Sequence, residues 1–149
     1  MNVIEHADDS GSLRSKKMYL YLTQKGRCMY TGEHIELSDL FNKSLYDIDH
    51  IYPRHFVKDD NIDNNLVLVK REKNAHKSDN YPLEAEIFNN QKKMWAQLRK
   101  EDFINEEKYK RLMGRNPFTD EQKAGFIARQ LVETQQGTKG VAELLQQLL

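Results

Sequence analysis

An aspartate and a histidine stand side by side at positions 49 and 50, and an asparagine, Asn74, follows on a basic segment downstream. A neutral imidazole with an unperturbed pKa of about 6.5 accepts a proton near neutral pH, so His50 has the chemistry of a general base. Asp49 and Asn74 offer oxygen ligands, one charged and one neutral, a set that suits a hard ion such as Mg²⁺ keeping several of its waters. A base for water, a cation and groups that position a phosphate are together what phosphodiester hydrolysis requires. Thiolates are not needed for it, and the single cysteine, Cys28, lies elsewhere in the chain.

Such residues work only if the elements carrying them meet. Tyr46-Asp47-Ile48-Asp49-His50-Ile51 alternates polar with apolar or aromatic residues and reads as a strand, whose successive side chains face opposite ways. Asp49 and His50 therefore diverge unless the strand ends or bulges there, and Pro53 just beyond is compatible with an end. Leu66 to Val69 reads as a second strand. Lys70 to Lys77 is rich in helix formers, so Asn74 is expected on a short helix packed across the first strand. Lys70, Arg71, Lys73 and Lys77 are candidates to hold a nucleic-acid backbone by charge. The intervening stretch, Arg54 to Asn65, is longer than a tight hairpin needs and suits a loop facing a substrate. Arg54, Lys73 and Lys77 are the chosen candidate substrate contacts.

The string DIDHIYPRHFVKDDNIDNNLVLV followed by KNAHKSDNYP resembles the HNH, or ββα-metal, nucleases, and more narrowly the HNH domain of the RNA-guided CRISPR type II effector nucleases. The resemblance extends over roughly residues 18–131, including LYLYLTQKGRCMYTG and DEQKAGFIARQLVET. It implies an α+β fold, a ββα-metal core with a short antiparallel hairpin surrounded by several helices. It also implies that His50 is the general base and that Asp49 and Asn74 bind one Mg²⁺, or Mn²⁺ in its place. The implied substrate is the target DNA strand in a guide RNA–DNA heteroduplex, read by shape, cut to leave 5′-phosphate and 3′-hydroxyl ends. The implied partners are that heteroduplex and the remainder of an effector protein that includes a RuvC-like domain. Two alternatives accompany this reading: a free-standing HNH homing or restriction-type endonuclease, and a non-catalytic nucleic-acid-binding module.

Composition narrows the choice. Lys+Arg and Asp+Glu balance at 23 each in 149 residues, whereas autonomous nucleic-acid binders are more often basic. Weak intrinsic DNA affinity is expected, with substrate delivered by something larger. One cysteine excludes an intrachain disulfide and a zinc knuckle built on cysteines. No run of about 18 apolar residues suggests a membrane span, and the N-terminus lacks the apolar core of a signal peptide, so a bacterial cytoplasmic setting is expected.

Along the chain, residues 1–17 read as a polar leader with a turn at Asp8 to Ser12, residues 18–113 as the nuclease domain, and residues 114–149 as a helical connector towards the RuvC-like domain. A helix is expected over Lys16 to Gln24, stopped by Gly26, then a short strand over Arg27 to Tyr30 and a turn of helix from Ser38. Asp63-Asn64 is expected to tie down the long loop through bonds to its backbone. Asp59, Asp60 and Asp63 do not form an EF-hand, whose residue order and central glycine are absent. His55 reads as a packing residue, and His34 and His6 as surface histidines. His76 lies two positions after Asn74 and faces elsewhere on a helix; Glu72 is the stronger rival for the ion. Leu83 to Lys100 carries a stripe of Leu83, Ile87, Met94, Trp95 and Leu98, with Trp95 the anchor. Asn105 to Met113 is a second helix, with Lys108, Lys110 and Arg111 on a solvated face. Thr119 and Gln122 form a capping box opening a third, and Val141 to Leu149 reads as a last amphipathic helix. Hinges are expected near Lys16 and over residues 114–140.

Overall fold

A computed structural model describes the backbone of residues 2–77 and 80–137 and the side chains of residues 11–74 and 80–132. Its centre is a two-stranded antiparallel hairpin, β1 (Tyr46–His50) and β2 (Leu66–Lys70), in which Asp49 faces Val67 and His50 faces Leu66. Five helices accompany it among the described residues: α1 (Asn2–Thr23), α2 (Arg71–Lys77), α3 (Ala85–Lys100), α4 (Glu106–Met113) and α5 (Asp120–Gly137). The arrangement is α+β, with α2 following β2 directly and packing on both strands. Among the described residues no helix is long and apolar enough to cross a membrane.

β2 is apolar along its whole length because both of its faces are covered, and Leu66 to Val69 are buried. Its outer edge is closed by a side chain. The Gln24 amide accepts from Leu68 N at 2.8 Å and donates to Leu68 O at 2.9 Å, taking the place of a strand neighbour. Met29 N also donates to Leu68 O, at 3.1 Å, and Trp95 Nε1 donates to Met29 O at 2.9 Å, so the anchor of α3 grips the segment beside β2. Leu20, Met29, Tyr30, Ile35, Leu68 and Trp95 form the heart of one core.

Several expectations need correction. α1 runs without interruption through Asp8 to Ser12, where a turn was expected, and through Lys16, where a hinge was. An interior glycine costs a helix only about 1 kcal/mol, and the second half of α1 is docked. Lys17 Nζ donates to Tyr46 O at 2.9 Å, and the Arg14 guanidinium lies 4.4 Å from the centre of the Phe41 ring. Arg27 to Tyr30 makes one isolated bridge, Arg27 with His34, instead of a strand. The helical turn expected from Ser38 is a 3₁₀ turn, Leu37–Asp39.

The other helices follow their signals. Gly26, at φ +70°, ends the turn after α1, and Asn105 caps α4 by accepting from Lys108 N at 2.7 Å. Thr119 and Gln122 exchange the two bonds of a capping box at the start of α5, which continues to Gly137 through the 114–140 segment read as a hinge. Phe118 and Phe126 then bring this part of the chain against Tyr52 and Tyr81; Phe118 stacks on Tyr81 with ring centroids 4.6 Å apart. Such pairs add about 0.5–1.5 kcal/mol each beyond burial. The helix expected over Val141 to Leu149 lies outside the described residues.

Candidate active site

β1 ends at His50, and its last two side chains leave on opposite faces, each to its own partner. Asp49, half-buried, accepts a hydrogen bond on Oδ2 from the Tyr30 hydroxyl at 2.5 Å. Burial first, and the Asp49 charge second, push the Tyr30 phenol well above its ordinary pKa, so this hydroxyl stays a donor. His50 meets Asp60 from the long loop, Nε2 to Oδ1 at 2.7 Å. The His50 hydrogen bond and the Arg54 and Lys16 charges hold the Asp60 carboxyl below the usual range. An ionised carboxylate only accepts, so Nε2 carries the proton and the basic lone pair of the neutral ring is on Nδ1.

His50 lines a groove of about 390 Å³ with Lys16, Ile48, Arg54, Asp60 and Leu66. The groove thus sets two cations and the Asp60 carboxylate beside the imidazole. A larger cleft of about 570 Å³, between the long loop and helices α4 and α5, contains none of the candidate catalytic side chains.

Asn74 lies one turn into α2, is half-buried, and rides on an element packed against both strands. Lys73 is half-buried and Arg54 and Glu72 are exposed. The side chains of Lys77, His76 and His6 lie outside the described residues. Lys70 and Arg71, read as backbone contacts, have partners within the chain: Lys70 pairs with Glu33, and Arg71, which stays exposed, donates to Lys43 O at 3.1 Å.

Among the described residues no three His, Cys, Asp or Glu side chains converge as a metal cage. A carboxylate, an amide and retained waters are a different donor set, suited to Mg²⁺, which dehydrates reluctantly and takes few protein ligands. An ionised carboxylate has about four lone-pair sites, so a hydroxyl and a cation on Asp49 are compatible. The residues present fit the ion.

The loop between the strands is fastened differently from expectation. Buried Asn65 holds Tyr52 N and O and Asp59 O through its amide, and Asn61 Oδ1 accepts from Asp63 N and Asn64 N. Asp63 and Asn64 bond outwards instead, to Tyr19 on α1 and to Asn105 before α4. Asp59 pairs with Arg111 at 2.8 Å, so Asp59, Asp60 and Asp63 go three separate ways and enclose no calcium site. Arg111 and Lys108 are buried, not solvated; Lys108 Nζ donates to Ile62 O at 2.9 Å. Their charges find a loop carbonyl and a carboxylate as partners, as buried cations require. His55 packs against Phe56, with ring centroids 3.9 Å apart.

Tyr30, Asp60 and Lys16 are site residues that spacing alone did not single out. One tyrosine in a turn and one aspartate among several carry no local signal, and Lys16 joins the groove only because α1 docks beside β1.

Residues 28–83 match the family model described as HNH endonuclease. The CRISPR-associated endonuclease Cas9 of Streptococcus mutans is 43% identical over 143 residues, covering 95% of this chain and 10% of that protein. Cas9 of Listeria innocua is 43% identical over 96% of the chain and 10% of its own length, and Cas9 of Staphylococcus aureus 34% identical over 87% and 13%. The chain spans about a tenth of the length of these relatives.

Proposed function

Taking as premise that the chain carries an HNH domain of the kind found in Cas9 endonucleases, we propose that it hydrolyses a phosphodiester of the DNA strand paired to a guide RNA. The observation that carries this reading is the end of β1, where an imidazole bonded to Asp60 and a carboxylate gripped by Tyr30 leave the same strand, in a hairpin on which α2 packs.

His50 takes the proton of the attacking water on Nδ1, while Asp60 holds the ring through Nε2–H. Lys16 and Arg54 border the groove in front of the ring and attract the phosphate to it. Lys73 and Lys77 on α2 extend that attraction along the backbone. Asp49 and Asn74 would hold one Mg²⁺, or Mn²⁺. When bound, the ion supplies positive charge against the phosphoryl oxygens and the departing 3′ oxygen. The products are a 5′-phosphate and a 3′-hydroxyl. Substrate is selected by guide pairing and presented by the rest of a larger effector, with a RuvC-like domain beside this one.

Cleavage of the labelled DNA strand of an RNA–DNA heteroduplex, in the full-length effector carrying this domain, tests the reading. His50→Ala is expected to lower the rate by roughly 10²–10⁴-fold without changing the thermal midpoint, and EDTA to abolish cleavage by this domain. Unchanged rates in EDTA would refute the metal, and a fully active His50→Ala protein would refute the base.

A further inference from the structure

The Tyr30 phenol is held in the core beside β1. Its residue is 2% exposed, and its neighbours are fixed on both sides: Met29 N to Leu68 O at 3.1 Å, Trp95 Nε1 to Met29 O at 2.9 Å, and Gly32 N to Cys28 O at 2.8 Å. A hydroxyl in a dry interior needs a partner, and this one reaches a carboxylate at 2.5 Å, in the range of a charge-assisted O–H···O⁻ bond. The bond ties the rotation of the Asp49 carboxylate about its Cβ–Cγ axis to the hydrophobic core.

We propose that Tyr30 is a positioning residue for divalent-cation binding: its hydroxyl sets the orientation in which Asp49 meets the ion, and thereby the metal affinity of the site. This rests on Asp49 being a metal ligand. Groups one shell away from a metal fix the rotamer of the ligand they touch, and losing one typically lowers metal affinity about 10- to 100-fold. Tyr30 itself touches neither ion nor substrate. It acts through Asp49 alone.

Mn²⁺ is the probe, its free concentration read by electron paramagnetic resonance during titration of the 149-residue chain. Tyr30→Phe keeps the ring and removes only the donor, and Tyr30→Met is a second apolar replacement should the first fail to fold. The folded variant is expected to bind Mn²⁺ about 10- to 100-fold more weakly. In the full-length effector its cleavage is expected to return towards the parent rate as metal is raised, which a general packing defect would not do. Parent-like Mn²⁺ affinity in a Tyr30 variant, while Asp49→Ala abolishes binding, would overturn the positioning role and leave the metal reading intact. Parent-like affinity in Asp49→Ala would overturn both.

Discussion

At the residue scale two carboxylates have unequal duties. Asp49 is held by a buried phenol, whereas Asp60 is half exposed and holds an imidazole. If Asp60 fixes the tautomer and direction of His50, Asp60→Asn should slow cleavage by less than the roughly 10²–10⁴-fold expected of removing the base itself. Single-turnover rates at saturating substrate measure this, and a rate equal to the parent's would show that the imidazole orients itself. Asp49, His50 and Asn74 stand out in the sequence because their types and order suit the chemistry proposed for them. Tyr30 and Asp60 do not, because a tyrosine near a turn and an aspartate in an Asp-rich loop acquire roles only from what the fold places opposite them.

At the scale of elements, hairpin and helices were legible wherever a periodic apolar pattern met a cap. β1 follows alternation, β2 a continuous apolar run, α3 a stripe anchored by Trp95 and α5 a capping box. Among the misreadings, several are polar residues that serve as internal fasteners and carry no local signal. Gln24 replaces a strand edge, Asn65 folds the loop, and Lys108 and Arg111 turn the charged face of α4 inwards. Lys108 offers a test. Burial lowers its pKa to about 8, so between that value and its ordinary one the unfolded chain binds more protons than the folded chain. Stability from this group is therefore present above the ordinary lysine pKa and lost as pH falls through about 8. Between pH 8 and about 9.5, below tyrosine ionisation, the parent should gain about 1.5 kcal/mol over Lys108→Met in urea unfolding. Parallel pH profiles for the two proteins would contradict the buried ammonium.

At the scale of the whole molecule, equal numbers of cations and anions leave little long-range attraction for a polyanion. In the proposed site the cations Lys16 and Arg54, which line the groove, would be what faces a phosphate. That division suits a domain whose substrate is brought to it, and the relatives in which this segment is a tenth of the chain are proteins of that larger kind. The fold packs α2 on both strands of the hairpin, and the proposal is that Asp49 of β1 and Asn74 of α2, far apart in sequence, serve one ion. Crystals of the chain grown with Mn²⁺ test this most directly, through the anomalous signal of the metal. The expected result is one peak about 2.1 Å from an Asp49 carboxylate oxygen and from the Asn74 amide oxygen, with His50 across the groove. A peak bound elsewhere, with the Asn74 amide out of reach of Asp49, would contradict the account.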